Sequence, residues 1–147
     1  MSKFKFILIS FLFFSCSSLS NPIELAFGLK SYMPIKRVEN IIEFKKGTWK
    51  IVEDTYISDK RPKYRFTKIK TTIFQYKGLK GVTFLEFFND QLMAVVFYPK
   101  DKQYNSLIND RENSNVVIGK DIEGNLYLKW FDKKLEKKFH YWLYKYS

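Results

Sequence analysis

The side chains that most often do chemistry are scarce in this sequence. It holds one histidine, His140, and one cysteine, Cys16. A catalytic triad or a histidine–cysteine pair requires an activated nucleophile beside a base, and zinc sites draw mainly on these two residue types. His140 follows Phe139 on a predicted helix, which favours a solvated side chain over a catalytic base. The sequence therefore predicts no catalytic or metal centre of these kinds, and no cofactor.

Carboxylates offer one further route to catalysis. Glu53 and Asp54 are neighbours on a predicted strand, so they face opposite sides of a sheet and cannot share a site. Glu86 lies within an aromatic strand, where a carboxylate needs a lysine or arginine on the adjacent strand as its partner. It is the candidate general acid of a carboxylate-dependent hydrolase. The acidic segment 121–125 is too short for a calcium loop and is predicted to be a hairpin turn.

Basic residues are the most abundant source of binding chemistry. The 147 residues include 26 Lys and Arg against 15 Asp and Glu, for a formal net charge of +11, and 19% of them are aromatic. From position 63 to position 70, cations interleave with rings, a pattern that on one sheet face can bind nucleic acid. A solvated charged face is the alternative interpretation. The candidate binding residues are Lys63, Tyr64, Arg65, Phe66, Lys68 and Lys70.

Residues 1–20 predict an export signal. Lys3 and Lys5 precede the apolar run 6–14, which is too short to cross a membrane, and small residues follow it. Cleavage before Asn21 is one interpretation. In the other, Cys16 becomes the acylated first residue of a lipoprotein and anchors the domain to a membrane. We favour the lipoprotein because the single cysteine of the chain falls at the edge of the apolar run.

Residues 21–147 then form a single domain outside the cytoplasm. These 127 residues contain no cysteine and have a formal net charge of +9. Export argues against nucleic acid as the partner of this charge. The expected partners are a protein or an anionic envelope component such as lipid head groups or lipopolysaccharide.

Hydrophobic periodicity places a helix at each end of this domain. The first is predicted at 34–44, with Ser31 as its N-cap and Gly47 as its C-cap. The last is predicted at 133–145 with Asp132 as its N-cap. Its apolar face is formed by Leu135, Phe139, Trp142, Leu143 and Tyr146.

Between the helices the period falls to two, which is typical of strands. Strands are predicted from position 49 to 57 and from 63 to 76, the latter with a β-bulge near Thr67-Lys68. Residues 82–98 predict a hairpin around Asn89-Asp90, apolar on both faces and so central in a sheet. A second hairpin is predicted over 115–130. The fold class is therefore α+β, an antiparallel meandering sheet with both helices packed on one face.

Two segments carry a family resemblance. Gly28-Leu29-Lys30-Ser31-Tyr32-Met33-Pro34 opens the first helix, and Phe87-Phe88-Asn89-Asp90-Gln91-Leu92 forms the turn of an aromatic hairpin. In these segments the chain resembles the small bacterial outer-membrane lipoproteins of the SmpA/OmlA type, with a β-lactamase-inhibitor-like fold, over about residues 28–98. The resemblance implies a fold and does not by itself assign a function.

Together these features favour a non-enzymatic envelope protein, lipid-anchored or soluble in the periplasm. It is expected to contact a partner protein or an anionic surface through its sheet. Two alternatives stay open, namely an exported hydrolase that uses Glu86 and a secreted inhibitor or immunity-type module.

Overall fold

The computed structural model describes residues 21–57, 64–100 and 116–146. In chain order the elements are α1 (Ile35–Phe44), β1 (Trp49–Ile57), β2 (Tyr64–Thr71), β3 (Gln75–Tyr76), β4 (Leu79–Phe88), β5 (Gln91–Pro99), β6 (Val116–Lys120), β7 (Leu126–Phe131) and α2 (Lys133–Tyr146). The strands form one antiparallel sheet in the order β1-β2-β4-β5-β7-β6, and the short β3 pairs with β4. The predicted α+β class is thereby confirmed. The predicted export signal lies outside the described residues.

The hairpin of β4 and β5 lies at the centre of the sheet, as predicted. Its turn residues Asn89 and Asp90 have φ values of 49° and 62°, in the left-handed region that a two-residue turn requires and that these side chains tolerate. Residues 92–97 of β5 are buried on both faces. The two-faced apolar pattern therefore identified the central strands correctly.

The two helices lie on opposite faces of the sheet, so the prediction that both pack on one face is wrong. Phe87 and Phe88 are consecutive in β4 and point to opposite sides. Phe87 belongs to the core cluster that contains Val38 of α1, whereas Phe88 packs with Trp142 of α2. Strands that are apolar on both faces require a cover on each side, and the two helices supply one each.

This arrangement also explains the slipped alternation in β2. Tyr64 and Phe66 pack beneath α2, whereas Ile69 faces the α1 side. The predicted bulge near Thr67-Lys68 is therefore wrong, because β2 keeps a regular register with β4 and changes its covering helix instead. The register shifts lie in other strands: Val52 of β1 is the extra residue opposite β2, and Met93 of β5 is the extra residue opposite β4.

The ends of α1 differ from the predicted caps. Pro34 occupies the N-cap position, and the Ser31 hydroxyl instead accepts a hydrogen bond from the Ile23 N–H at 2.9 Å. At the other end, Lys46 adopts the left-handed conformation with φ of 57°. Gly47 follows it and provides space, since a Cβ there would lie 2.8 Å from the Cβ of Ile73.

The start of α2 is formed as predicted. The Asp132 carboxylate accepts hydrogen bonds from the N–H groups of Lys134 and Leu135, at 2.9 and 3.0 Å, which satisfies donors that a helix N-terminus otherwise leaves unpaired. The apolar side of α2 then packs on one end of the sheet. Its contacting residues are Leu135, Phe139, Trp142 and Leu143.

Candidate functional site

The structure buries the two rings of the predicted binding segment beneath α2, and the Lys68 ammonium lies 5.7 Å from the centre of the Phe66 ring. Tyr64 and Phe66 are 4% and 7% exposed, and the ring of Tyr64 stacks on that of Trp142 with centroids 3.6 Å apart. Burial raises the pKa of the Tyr64 phenol, and the charge of Glu53 raises it further. Both rings therefore stabilise the contact with α2. Lys63 lies outside the described residues.

Arg65 points to the face opposite that of Tyr64 and is held by two carboxylates. Its Nε and Nη2 donate to the two carboxylate oxygens of Asp54 at 3.0 and 3.1 Å, and its Nη1 donates to Asp90 at 3.2 Å. The hydrogen bonds from Arg65 are the main cause that lowers the pKa of the Asp54 carboxyl, and the hydrogen bond from the Thr67 hydroxyl lowers it further. The guanidinium thus ties β1 to the turn of the central hairpin.

Lys68 supplies the partner that Glu86 was predicted to need. Its ammonium lies 3.2 Å from Glu86 Oε1 on the adjacent strand and 3.9 Å from Glu53 Oε2 on the other side. The Glu86 side chain is 15% exposed. A half-buried carboxylate is tolerated because a cation lies directly beside it.

Within the described residues, α2 covers one end of its sheet face and leaves the rest uncovered. Directly paired residues of adjacent strands share a face, so the register gives rows of side chains across this part. We call it the open face. The row nearest α2 contains Glu53, Lys68 and Glu86; the next contains Lys50, Lys70, Phe84, Val96 and Lys129. Tyr98 and Tyr127 follow, and Lys80 and Lys100 lie at the far end.

Two pairs of lysines have neighbouring backbones on the open face. Lys50 is the direct partner of Lys70, and the Lys100 N–H donates to the Lys80 carbonyl at 2.9 Å. None of these four ammonium groups forms an ion pair with a carboxylate of the described ranges. Like charges directly opposite each other destabilise a sheet. Among the described residues, these lysines are therefore a concentration of positive charge that no carboxylate neutralises.

Aromatic rings lie between and beside the lysines. The Lys70 ammonium is 5.9 Å from the centre of the Phe84 ring, and the Phe84 and Tyr98 rings meet edge to face with centroids 5.7 Å apart. Tyr98 in turn contacts Tyr127 at 5.7 Å. Burial, and then the charge of Asp121, raise the pKa of the Tyr98 phenol, so it is a neutral hydrogen-bond donor at neutral pH.

A groove of about 380 Å³ opens beside these rings. We call it the tyrosine groove. Its wall includes both charged and apolar side chains, and it is continuous with the open face through Val96 and Tyr98. The residues that matter below are Glu86, Val96, Tyr98, Asp121, Tyr127 and Lys129.

The wall at Asp121 is a fixed turn, as the sequence predicted for 121–125. The Asp121 carboxylate accepts hydrogen bonds from the N–H groups of Glu123 and Asn125 at 3.0 and 2.8 Å, and Gly124 has a φ of 82°. Desolvation acts to raise the pKa of the Asp121 carboxyl, but the hydrogen bonds from Asn125 and its neighbours outweigh it and lower the pKa.

His140 and Cys16, the two remaining candidates from the sequence, lie outside this groove and the open face or outside the described residues. His140 is exposed on α2 beside Phe139, in agreement with the predicted solvated side chain. Cys16 lies outside the described residues. Among those residues, no cluster of three or more His, Cys, Asp or Glu side chains is arranged to hold a metal ion.

Sequence reasoning missed most of the open face. Phe84, Tyr98 and Tyr127 were assigned to strands without a role, and Lys80 and Lys100 were not singled out. One sequence feature indicated the position of Lys80 and Lys100: they flank the predicted hairpin 82–98, so the two strand ends bring them close together. Of the predicted set, the open face contains Lys68 and Lys70.

Comparison with known proteins adds no identity to this geometry. The chain matches neither a protein-family model nor a curated protein. In the described ranges, neither helix has the length and apolar character needed to cross a membrane.

Proposed function

We propose that this protein is a non-enzymatic binding module that holds an anionic component of a bacterial cell envelope on the open face of its sheet. The observation that carries the proposal is the cross-strand pair of Lys50 and Lys70, together with Lys80 and Lys100, whose backbones are joined by a hydrogen bond at the far end. Repulsion between Lys50 and Lys70 lowers the stability of the sheet. A ligand with closely spaced phosphate or carboxylate groups removes that repulsion when it binds.

The charge of the open face is unevenly distributed, which supports an anionic ligand at its far end. Near α2, Lys68 is neutralised by Glu86 and Glu53. Towards the far end, the lysine pairs have no such acids among the described residues. A ligand is therefore attracted to one end of the face, where ammonium groups act as point charges on phosphate or carboxylate oxygens.

Binding to vesicles tests this function. Wild-type protein is mixed with vesicles that contain anionic phospholipid, and with inorganic polyphosphate, at increasing salt concentration. We expect binding to both that weakens as salt screens the charges. Replacement of Lys70 and Lys80 by glutamine is expected to weaken it about 30-fold, since each lysine near an anionic surface contributes about 1 kcal/mol.

A control variant separates this face from total charge. Lys30→Gln combined with Lys45→Gln removes the same charge from exposed positions at the two ends of the α1 region. Equal loss of binding in both double variants would mean that net charge, and not the open face, attracts the ligand. No binding at low salt would refute the proposal outright.

Export and lipid anchoring belong to the same proposal. The apolar run 6–14, the small residues after it and Cys16 support a lipoprotein signal. The resemblance to small envelope lipoproteins agrees with this location. Labelling of cells with a radioactive fatty acid tests the anchor. We expect the wild type to carry the label and Cys16→Ser to lose it; label that persists in Cys16→Ser would place the acylation at another residue.

One observation favours a carboxylate-dependent hydrolase as the second candidate. Glu86 and Asp121 both line the tyrosine groove, and paired carboxylates flank the bond in many glycoside hydrolases. Against it, Glu86 is paired with the Lys68 ammonium at 3.2 Å, and the Asp121 carboxylate is occupied by the N–H groups of its own turn. If the wild type releases reducing ends from a polysaccharide and Glu86→Gln abolishes this release, the hydrolase function would be established instead.

A further inference from the structure

The ring of Tyr127 lies flat on the sheet. A Cβ at Gly119, on the neighbouring strand β6, would lie 2.6 Å from both the Cζ and the hydroxyl of Tyr127. The absence of a side chain at Gly119 thus lets the ring cover the backbone of β6. One face of the ring rests on that backbone while Tyr127 also lines the tyrosine groove, so the groove presents a flat aromatic surface.

The groove must recognise its ligand through side chains. Its floor is formed by β5 and β7, and each of these strands pairs with a neighbour on both sides. Their backbone N–H and C=O groups are already used in the ladder. An extended peptide binds a sheet by adding to its edge through such groups, so this floor does not suit a peptide.

The charged side chains around the Tyr127 ring sum close to neutral, because the groove is lined by two carboxylates, Glu86 and Asp121, and two ammonium groups, Lys120 and Lys129. Glu86 is paired with Lys68 at 3.2 Å, and the Lys129 ammonium is 2.7 Å from Glu136. The Asp121 carboxylate is fixed by its own turn. The groove therefore offers acceptors, a donor and a flat apolar ring, without the excess charge of the lysine pairs.

This combination matches a sugar ring. A pyranose has an apolar face of C–H groups, which stacks on an aromatic ring, and a rim of hydroxyls, which donate to carboxylates and accept from phenol and ammonium groups. The Tyr98 phenol and the Glu86 carboxylate lie beside the ring surface in the same groove. A phosphate alone would not use the aromatic surface, and a lipid acyl chain would not use the polar rim.

We propose that the tyrosine groove is a pyranose subsite and that the ligand of the open face is an anionic polysaccharide. This inference rests on the proposed function, because it assigns the negative groups of the same ligand to the lysine pairs. Lys70 is two strands away from Val96 in the same row, a distance of about 10 Å. A chain of a few linked sugar rings spans the groove and reaches these lysines.

Three probes and a set of variants test the assignment. The probes are oligogalacturonate, its methyl ester (which has the same rings without charge) and inorganic polyphosphate (which has charge without rings). Tyr127→Ala removes the aromatic surface, and Gly119→Ala displaces it by steric contact. Tyr144→Ala is the control, since Tyr144 is 91% exposed on α2.

We expect the methyl ester to bind at millimolar concentration and to shift the ring resonances of Tyr127. Tyr127→Ala should weaken binding of both sugar probes about tenfold, the size of one aromatic contact, and leave polyphosphate binding and the control unchanged. Gly119→Ala should act in the same direction. Unchanged sugar binding in Tyr127→Ala would overturn the subsite, as would a wild type that binds neither sugar probe.

The same measurements separate this inference from the proposed function. If the wild type binds polyphosphate but its sugar binding does not depend on Tyr127, the proposed anion-binding function stands and the pyranose subsite is refuted. If the wild type binds the methyl ester but not polyphosphate, the pyranose subsite stands and the proposed anion-binding function is refuted. Poly-glutamate is the peptide probe, and a tenfold loss of its binding in Tyr127→Ala would replace the sugar by a protein partner.

Discussion

Lys50 and Lys70 are direct cross-strand partners at the edge of the sheet, and no described carboxylate neutralises them. Their shared row continues to Phe84, whose ring lies 5.9 Å from the Lys70 ammonium. Repulsion between paired lysines lowers the stability of a strand pair. Residues that bind a ligand often oppose the stability of the free protein, and this relationship makes the two effects measurable in one variant.

Lys50→Gln should stabilise the free protein and weaken its binding to anions. It removes the repulsion with Lys70 but keeps the Lys70 contact with Phe84, and is expected to raise the free energy of unfolding by about 0.5 kcal/mol at low salt. Chemical denaturation measures this change, and polyphosphate titration measures the loss of binding. The gain in stability should shrink as salt is added, because screening already reduces the repulsion in the wild type. A loss of stability at every salt concentration would contradict the argument.

The contact between Lys68 and Glu86 should show a favourable coupling. A double-mutant cycle with Lys68→Met and Glu86→Gln is expected to give about 1 kcal/mol, above the value for a fully exposed pair, because both side chains are largely covered. Lys36 and Glu39 provide the comparison, since Lys36 is 75% exposed. Equal couplings for the two pairs would show that burial does not strengthen the contact.

Asp54 should make the stability depend on acid pH. Its pKa is lowered below the ordinary value of 3.8, chiefly by the hydrogen bonds from Arg65. A lowered pKa in the folded state gives stability that is present above the ordinary pKa and is lost as the pH falls through the folded one. The wild type should therefore exceed Asp54→Asn in stability at neutral pH, by a modest amount because the pair is partly exposed.

Denaturation of both proteins from about pH 7 down to about pH 3 checks the sign of this effect. The difference in free energy of unfolding should narrow in the acid range. A difference that stays constant or widens would show that the Arg65 contact does not favour the ionised carboxylate.

The elements of the fold were largely predictable, but their arrangement on the sheet was not. Period and turn chemistry identified both helices, the central hairpin and the Asp132 cap. The placement of the helices depends on which face each apolar residue serves, and a strand such as β4 is apolar on both. In β2 the apolar residues change from even to odd positions between Phe66 and Ile69. This change marks a strand that is covered on both faces, whereas with one covered face it would require a bulge.

The candidate site was predictable only in part for a related reason. In segment 63–70 cations and rings alternate along the chain, but successive residues of a strand point to opposite faces, so Arg65 lies opposite Tyr64 and Phe66. Tyr64 and Phe66 are covered by α2. The open face is assembled from residues far apart in sequence, such as Lys70, Tyr98 and Tyr127, and needs the strand register to become visible.

The arrangement of helices on opposite faces predicts separate effects for two adjacent residues. Phe87 is fully buried on the α1 side, and Phe88 is 7% exposed on the α2 side. Phe87→Leu and Phe88→Leu should each lower the free energy of unfolding by about 1 to 2 kcal/mol. Hydrogen exchange should then distinguish them, because a helix opens more easily when the surface beneath it is poorly filled. We expect faster exchange in α1 for the first variant and in α2 for the second. If both variants accelerate exchange in the same helix, the two helices share one face and the open face described here does not exist.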